Sequence, residues 1–549
     1  MAWWSVVLAV AGVLGGWSAS AAQAVTAKQI DDVIVKAKAY LYSQFKDDNW
    51  EETGSGIVSQ NKTGATALVT YALLAAGESP GEEHIAKALD YLLHTPTNGT
   101  YALGLRCLVW LSLPEEMRGK PEYRQEILND GKLLLQGGRA DTKIKQGASL
   151  FYTYLVTDKG PPWDHSNSHY GVLGMWACQE CGLGPPPSYW QAVENGWRLH
   201  QYQTGGWCYQ GKGGVANGMA GPPPVMPEAS DFLSERGSMT LAGVSTLYIC
   251  DEYLHGADAA ECRGNVVDAN IEAGLAWISR NSQDIQGTDV YYTLYDLERV
   301  GLASGLKYFG TVDWFQNGAD YLMKNQGNKG NFRSSVISTG YGLLFLAGGR
   351  GPVVMNKLKY EIKMPGGKAR EGNWNQRPRD AANFAKWMSN QADQPRFKWH
   401  VVDLKMSAQD LQEAPILYIA GNQAVDFNDA EIAILRQYVE KGGLIYANAD
   451  GDSAGFAAAI HKVGSKMFPT DEWHDLPKDS PLFANAPFPG VKWRTFPRME
   501  ALGDGTRQRV LLVSSGDPSR FWQTQQYKGH EDRFQFLADI YSYSLAGRR

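Results

Sequence analysis

A short run of polar residues at the start of an apolar segment holds the side chains best suited to chemistry. From Asp164 to Tyr170 the chain reads Asp-His-Ser-Asn-Ser-His-Tyr. His165 and His169 are four positions apart, which places both imidazoles on one helix face, where they can bind a metal ion or share acid–base work. Ser, Asn and Asp are also ordinary helix-capping residues, so ligand binding without chemistry and a purely structural role both stay open.

Polar and aromatic residues precede two later apolar segments in the same way, and together they form the candidate site. The candidates for catalysis, none of which is assigned a reaction, are Asp164, His165, His169 and Glu235. The candidates for ligand binding are Asn167, Tyr170, Trp207, Tyr209, Arg236, Tyr291 and Tyr292. No carboxylate pair is spaced clearly enough to indicate glycosidase or lyase chemistry, and no cofactor is predicted.

A repeated pattern predicts the elements that position these residues. Six times between residues 37 and 322 a small residue is followed, three and four positions later, by large apolar residues; the small residues are Ala37, Ala88, Gly131, Gly196, Gly274 and Gly318. A polar, Gly-rich loop and a second apolar helix follow each copy. Repeated helix pairs bury a core only by stacking on their neighbours. The pattern therefore predicts an α6/α6 toroid over residues 25–350, with Ala75, Gly104, Gly174 and Gly243 in the crowded interior.

Such a ring would bring the candidate residues together. The N-termini of its inner helices share one rim, and all the candidates stand at or before those N-termini. The Gly/Pro-rich segment 210–236 would hang over the same mouth. Helix N-termini add a positive potential, which favours an anionic or hydroxyl-rich ligand. Aromatic faces beside polar groups suit a sugar, so a glycan is the first expectation.

Two of the repeats resemble a known family. Gln326 is followed by Gly330-Asn-Phe332, and Gln203 by Gly205-Gly-Trp207. Both resemble the Gln–Trp repeat of squalene cyclases and protein prenyltransferases, which implies that the Gln side chains bond to backbone and that Trp207 and Phe332 pack between helix pairs. The Asp-x-Asp-Asp acid of triterpene cyclases is absent from the sequence, and the prenyltransferase zinc ligands have no counterpart. The resemblance therefore implies a fold without a reaction.

Beyond Gly351 the pattern changes to alternating strands and helices. Strands are predicted at 358–362, 397–402, 415–421, 444–447 and 509–514, with helices at 378–388 and from Asn428 to Val439. Asn428 with Glu431 three positions later matches a capping box. This alternation predicts a doubly wound three-layer α/β domain over residues 351–549.

The same region resembles a bacterial family, the domain of unknown function 4159. The resemblance rests on Gly372-Asn-Trp-Asn375, on the run LYIAGNQAVDF from Leu417 and on EWHDLPKDSPLF from Glu472. It implies a fold similar to flavodoxin and class I glutamine amidotransferases. An amidotransferase needs a Cys nucleophile after a central strand, and residues 351–549 contain no Cys. Asp450 and Asp452, in a turn after a strand, are weak candidates for a Ca²⁺ or Mg²⁺ site; a capped turn is the alternative.

The N-terminus predicts export. Residues 1–24 carry no charged side chain, contain an apolar run and end in Ala22-Gln23-Ala24, a small-x-small cleavage pattern. The protein is therefore expected to be secreted or periplasmic after cleavage near Ala24, with no transmembrane segment in the mature chain. A net charge of −6 argues against a nucleic-acid partner. Of the six cysteines, Cys250 and Cys262 are the best disulfide pair.

These observations predict an exported bacterial envelope protein. The leading hypothesis is a non-catalytic binding or scaffold protein whose toroid mouth binds a glycan, peptide or lipid. The alternative is an envelope enzyme that uses the same funnel, either as a polysaccharide lyase or glycosidase or to process an isoprenoid.

Overall fold

The computed structural model describes residues 24–52, 61–141, 148–157, 163–209, 235–282, 290–363, 367–391, 394–483, 494–546 and 548. Residues 1–23 of the predicted signal peptide lie outside the described residues, and so does the predicted overhanging segment from 210 to 234. None of the described helices is long and apolar enough to cross a membrane.

The N-terminal region is mostly helical, as predicted. Its long helices are α1 (Ala27–Ser43), α2 (Gly64–Ala75), α3 (Glu83–His94), α4 (Thr100–Ser112), α5 (Pro121–Gly137), α6 (His165–Glu180), α7 (Pro187–His200), α8 (Gly237–Leu254), α9 (Ala269–Arg280), α10 (Val290–Ser304), α11 (Trp314–Asn325) and α12 (Val336–Gly349). The even-numbered helices are apolar on most sides and mostly buried, whereas the odd-numbered helices bury one face. We call the even-numbered ones the inner helices.

Contacts between the inner helices form a closed circuit. They run from α2 to α4, α6, α8, α10 and α12, and α12 contacts α2 again. Glycines permit this close packing: a Cβ on Gly104 would lie 2.3 Å from the Tyr170 carbonyl oxygen, and one on Gly174 would lie 3.0 Å from the Gly104 Cα. Ala75, in contrast, is partly exposed at the end of α2.

One local contact recurs where the chain enters an inner helix. The backbone N–H of a buried aromatic residue donates to a Ser or Thr hydroxyl in the first turn of that helix, in the pairs Trp50–Thr66, Tyr152–Ser168, Trp207–Thr240 and Phe332–Thr339. In the last three pairs a Gly follows the hydroxyl residue by three positions, and a Cβ there would come within 2.5, 2.6 and 2.7 Å of the aromatic ring. The spacing Ser/Thr-x-x-Gly therefore lets the aromatic side chain pack directly against the inner helix.

The glutamines bond to backbone, with one correction. Gln326 Nε2 donates to the Gly330 carbonyl at 3.1 Å and to the Val33 carbonyl of α1 at 2.9 Å, so it links the last helix pair to the first. In the fourth repeat the predicted bond from the Gln203 side chain to backbone is wrong, because that residue is exposed. Gln201 takes the role and donates to the carbonyls of Gly205 and Asn270 at 2.9 and 2.8 Å.

The C-terminal region forms a mixed sheet. Its strands are β1 (Val353–Leu358), β2 (Lys398–Val402), β3 (Ile416–Gly421), β4 (Leu444–Ala449), β5 (Glu472–Asp475), β6 (Arg498–Gly503) and β7 (Gln508–Ser515), in the order β5-β6-β7-β4-β3-β1-β2. The five strands from β7 to β2 are parallel, and β6 and β5 add an antiparallel edge. The longer helices are α13 (Asp380–Ser389), α14 (Asp429–Glu440), α15 (Ala454–Met467) and α16 (Glu531–Ala546).

Apolar side chains pack on both faces of this sheet. Alternate residues of β3 and β4 belong to two separate clusters of buried residues, one containing Tyr418 and Tyr446 and the other Ile419 and Ile445. The predicted capping box at Asn428 is confirmed. The first predicted strand is wrong, since the strand ends at Leu358 and residues 361–363 pair with 369–371 in a separate hairpin.

The two regions meet at the C-terminal ends of the inner helices. Lys398 Nζ donates to the Gly349 carbonyl, and Trp399 Nε1 donates to the Leu302 carbonyl at 3.1 Å. Lys386 bridges Glu180 and Glu252 at 2.8 and 3.0 Å. The sheet region therefore covers the opposite ends of the inner helices from those that carry the candidate site.

Candidate functional site

Asp164 acts as the N-cap of α6. Its Oδ1 accepts hydrogen bonds from the Asn167 backbone N–H at 2.7 Å, the Ser166 hydroxyl at 2.8 Å and the Asn167 side-chain amide at 2.9 Å. Burial and the carboxylate of Asp164 raise the pKa of Tyr154 to about 12, which places that tyrosine beside the cap. The carboxylate is thus used for helix capping, which is the structural alternative that the sequence left open for Asp164.

His165 and His169 contact different neighbours. Nδ1 of His165 lies 2.6 Å from the Cys208 carbonyl, and the ring lies among Phe151, Trp163 and Trp197. Burial, with His200 nearby, lowers the pKa of His165 to about 3. The imidazole is therefore neutral at physiological pH and holds the loop at Cys208 against α6, which excludes it as a general acid.

His169 lies between a hydroxyl and a carboxylate of neighbouring inner helices. Its Nδ1 is 3.1 Å from the Thr246 Oγ1 of α8, and its Nε2 is 3.3 Å from the Asp296 Oδ1 of α10. All three residues are fully buried. The Nε2–Oδ1 contact lacks hydrogen-bond alignment, and neither Asp296 oxygen has a hydrogen-bond partner among the described residues.

Three tyrosines surround this pair. Burial and then the Asp296 carboxylate raise the pKa of Tyr292 well above its usual value, and burial also raises the pKa of Tyr170 and Tyr341. The Tyr170 and Tyr341 hydroxyl oxygens are 2.6 Å apart, and the Tyr170 and Tyr292 rings have centroids 6.0 Å apart. The phenols stay protonated at neutral pH, so each can donate and accept a hydrogen bond. We call His169, Tyr170, Thr246, Tyr292, Asp296 and Tyr341 the ring cluster.

The ring cluster leaves several polar atoms without partners. Among the described residues, the Tyr292 hydroxyl, the His169 Nε2 and both Asp296 carboxylate oxygens are buried and make no hydrogen bond. The Asn167 Oδ1, outside the cluster, also lacks one. Tyr101, whose ring centroid is 4.5 Å from that of Tyr170, is partly exposed, and so is Tyr292. The cluster therefore lies beneath a partly accessible aromatic surface.

The other candidates do not join the ring cluster. Trp207 is fully buried and its Nε1 donates to the Trp197 carbonyl at 2.9 Å, so in this structure it packs between helices. Tyr291 packs against Phe332 with centroids 5.5 Å apart and is likewise a packing residue. Glu235 accepts from the Gly206 N–H at 3.1 Å and fastens the preceding loop.

Arg236 and Tyr209 remain at the rim of the ring. The guanidinium of Arg236 lies 5.9 Å from the Tyr209 ring centroid, and the Tyr209 carbonyl accepts from the His165 N–H at 2.8 Å. Both side chains are partly exposed. The structure thus retains Asn167, Tyr170, Tyr292 and His169 near one another, with Arg236 and Tyr209 at the edge.

Sequence reasoning missed Asp296, Thr246 and Tyr341, which complete the ring cluster. Each stands inside an inner helix, one or two turns past the predicted rim. A signal was present: Asp296 follows Tyr292 by four positions, on the same face of a mostly buried helix. A buried carboxylate in such a helix needs an explanation.

A second polar cluster lies at the carboxyl edge of the sheet. Arg377 donates through Nη1 to Asp450 at 3.0 Å and to Asp517 at 2.6 Å, and through Nη2 to Asp517 at 2.6 Å. Its Nη2 is also 2.9 Å from the Sγ of Cys262, which comes from the helical region. We call Cys262, Arg377, Asp450, Asp517 and Ser519 the sheet-edge cluster.

Two predictions, one about a disulfide and one about a metal site, change here. Cys250 and Cys262 are free thiols, so the predicted disulfide is wrong. Asp450 and Asp452 do not converge, because Asp450 faces Arg377 whereas Asp452 accepts from the Gly516 N–H at 2.8 Å. In the described parts of the chain no three His, Cys, Asp or Glu side chains are placed to hold a metal. Burial raises the pKa of Cys262 to about 11, so this thiol is protonated and a poor nucleophile at neutral pH.

One family model matches part of the chain. Residues 355–545 match the model of the domain of unknown function DUF4159. No curated protein matches the chain. Among solved structures the chain is similar to a variant of the type II terpene cyclase MstE from Scytonema in complex with geranylgeranyl dihydroxybenzoate, with 11% identity and a TM-score of 0.37, over 59% of this chain and 97% of that chain. The family match covers the sheet region and brings no activity with it.

Proposed function

We propose that residues 25–350 close into an α6/α6 toroid of the squalene cyclase and prenyltransferase type. The circuit of contacts among the inner helices and the bonds from Gln326 to α1 support this closure. For residues 351–549 we propose the three-layer arrangement of flavodoxin and class I amidotransferases. Its support is the apolar packing on both faces of the parallel strands.

We propose further that the protein is exported to the bacterial envelope and binds a glycan inside the ring without transforming it. One observation carries this proposal: the ring cluster contains buried polar atoms that no described residue satisfies. Each such atom costs about 1–3 kcal/mol when it lacks a hydrogen bond. A hydroxyl-rich ligand supplies both donors and acceptors at these positions, and water would fill them in its absence.

The surroundings of the ring cluster favour a sugar over a lipid or an ordinary apolar peptide. Tyr101 and Tyr292 are partly exposed, and tyrosine rings at such a surface can pack against the C–H face of a pyranose while a hydroxyl bonds to the sugar hydroxyls. A purely apolar ligand would leave the carboxylate of Asp296 and the Tyr292 hydroxyl without partners, which is unfavourable.

A second function has one observation in its favour. His169 lies between the Thr246 hydroxyl and the Asp296 carboxylate at 3.1 and 3.3 Å, an arrangement that can move a proton. An envelope enzyme acting on a polysaccharide would use such a group. Shortened or unsaturated products detected by mass spectrometry, and abolished by His169→Gln, would favour the enzyme over the binding protein.

The proposed binding function can be tested with two neighbouring tyrosines. Calorimetric titration of glycan tetramers, with a tetrapeptide and geranylgeraniol as comparisons, should show binding of a glycan. Tyr292→Phe removes an unpartnered hydroxyl of the ring cluster and should weaken binding about tenfold. Tyr291→Phe, one position away but packed against Phe332, is the matched control and should leave affinity unchanged. Failure of every glycan to bind, or equal effects of both variants, would contradict the proposal.

A further inference from the structure

Asp296 is the most unusual residue of the ring cluster. Its side chain is fully buried, and neither carboxylate oxygen accepts a hydrogen bond from a described residue. Removing a carboxylate from water without donors is expensive, and proteins normally pair such groups. The nearest imidazole, that of His169, is 3.3 Å away and is not aligned as a donor. The carboxylate therefore keeps unused acceptor capacity on both oxygens.

The basic residues nearby are engaged elsewhere. Arg299, on the next turn of α10, lies over the Trp176 ring at 5.2 Å and reaches the Ser245 hydroxyl at 3.4 Å. Arg236 lies at the rim over Tyr209. The rim itself carries two carboxylates, Asp164 and Glu235. Asp296 is the one carboxylate of the ring cluster, so a cationic group beside it is favoured over the anionic ligand expected from helix N-termini.

The tyrosine rings add a second preference for positive charge. The centroids of Tyr101 and Tyr170 are 4.5 Å apart, and those of Tyr170 and Tyr292 are 6.0 Å apart. A cation within about 6 Å of such a ring face is attracted by its quadrupole. An ammonium group also has three donors and no acceptor, which matches a carboxylate with two empty oxygens beside phenol oxygens.

We propose that the ligand carries a protonated amine that binds Asp296, and that the amine belongs to an amino sugar of the glycan. This inference rests on the proposed function, since it names the chemical group that the ring cluster recognises. The ammonium would bond to the Asp296 carboxylate and to the Tyr292 hydroxyl, while the sugar ring packs against the tyrosine faces. Charge-assisted bonds of this kind are stronger than those of a neutral hydroxyl.

Three matched tetrasaccharides test the proposal by calorimetric titration into the full chain. A β-1,4-linked glucosamine tetramer carries free amines, the N-acetylglucosamine tetramer has amides in their place, and cellotetraose has hydroxyls. We expect the glucosamine tetramer to bind at least about tenfold more tightly than the other two. Equal affinity for all three would overturn the amine while leaving the glycan proposal intact. Binding of none of them would overturn the proposed function itself.

A pair of variants on one helix locates the effect. Asp296→Asn should bring the affinity for the glucosamine tetramer to within about twofold of that for cellotetraose. Glu298→Gln makes the same carboxyl-to-amide change two positions away, at a buried residue outside the ring cluster, and should preserve the preference. An equal loss of affinity for all three tetramers in Asp296→Asn would overturn the proposal, as would spermidine binding as tightly as the glucosamine tetramer. If Asp296→Asn does not fold, the relative affinities of the wild-type protein for the three tetramers still decide whether the amine is recognised.

Discussion

The ring cluster and the sheet-edge cluster are both buried and both acidic, yet they differ in how their charges are satisfied. Every carboxylate oxygen of Asp450 and Asp517 accepts a hydrogen bond, most of them from Arg377. Both oxygens of Asp296 lack one. A buried charge with complete partners holds a structure together, whereas one that the fold leaves open is kept for something that arrives later. The sheet edge is therefore a structural cluster, and the open oxygens of Asp296 are the observation on which the proposed binding function rests.

The sheet-edge cluster should respond strongly to loss of its cation. Arg377→Ala leaves Asp450 and Asp517 buried without their guanidinium, and we expect it to destabilise the protein by about 3–5 kcal/mol. Arg370→Ala, at an exposed arginine of the same region, should change stability by less than about 0.5 kcal/mol. Calorimetric melting measures both. A small effect of Arg377→Ala on stability would contradict a structural role for the sheet-edge cluster.

The stability of the helical region should depend to a similar degree on Trp207, an aromatic residue that is not part of the ring cluster. Trp207 is fully buried and seats on Gly243 of α8. Trp207→Ala should therefore cost about 3–5 kcal/mol, the range for a buried large aromatic residue. Its effect should appear in the melting temperature, with the circular dichroism spectrum unchanged below the transition. A loss below about 1 kcal/mol would return Trp207 to the rim.

Glu298 offers a third buried carboxyl, which keeps its proton. Burial raises its pKa from 4.5 to about 8, so between these values the unfolded state loses a proton that the folded state retains. Its contribution to stability is complete below pH 4.5 and falls by at most about 1.4 kcal/mol per pH unit until the pH passes about 8. Glu298→Gln should lack this slope. Denaturant unfolding at pH 5, 6.5 and 8 measures the stability of the wild-type protein and of Glu298→Gln. If the two free energies of unfolding vary in parallel with pH, Glu298 does not have the raised pKa.

Among the buried residues, the smallest predicted change in stability is at Asp296. Because no described residue bonds to its carboxylate, Asp296→Asn should alter the free energy of unfolding of the ligand-free protein by less than about 1 kcal/mol, and can raise it. This small change in stability contrasts with the large loss expected for Arg377→Ala. Thermal melting without ligand makes the measurement, and a loss as large as that of Arg377→Ala would show that Asp296 has a structural partner.

The sequence predicted the helical repeats well because helix packing leaves a periodic signal. Small residues such as Gly174 recur at fixed distances from large apolar ones, so the helix pairs could be found without a structure. The role of Gln201 was assigned to Gln203, since two glutamines flank the same helix end and spacing alone does not separate them. The central strand β1 was missed because the buried residues Asn356 and Lys357 interrupt its apolar run.

The site was harder to predict than the fold. His169 and Tyr170 were found because they lie in a dense polar run at a helix start, but Asp296 and Thr246 stand inside their helices and form no motif. Contacts across long stretches of sequence were invisible for the same reason: Cys262 reaches Arg377, 115 positions away. Only the folded chain shows that Trp207 faces Gly243 and that Tyr292, not Tyr291, faces the ring cluster.

A crystal of the full chain soaked with the glucosamine tetramer would show directly where the sugar binds. We predict sugar inside the ring, with a nitrogen within about 3 Å of an Asp296 oxygen and the Tyr292 hydroxyl bonded to the same sugar residue. Sugar bound only elsewhere, with water alone in the ring cluster, would contradict it.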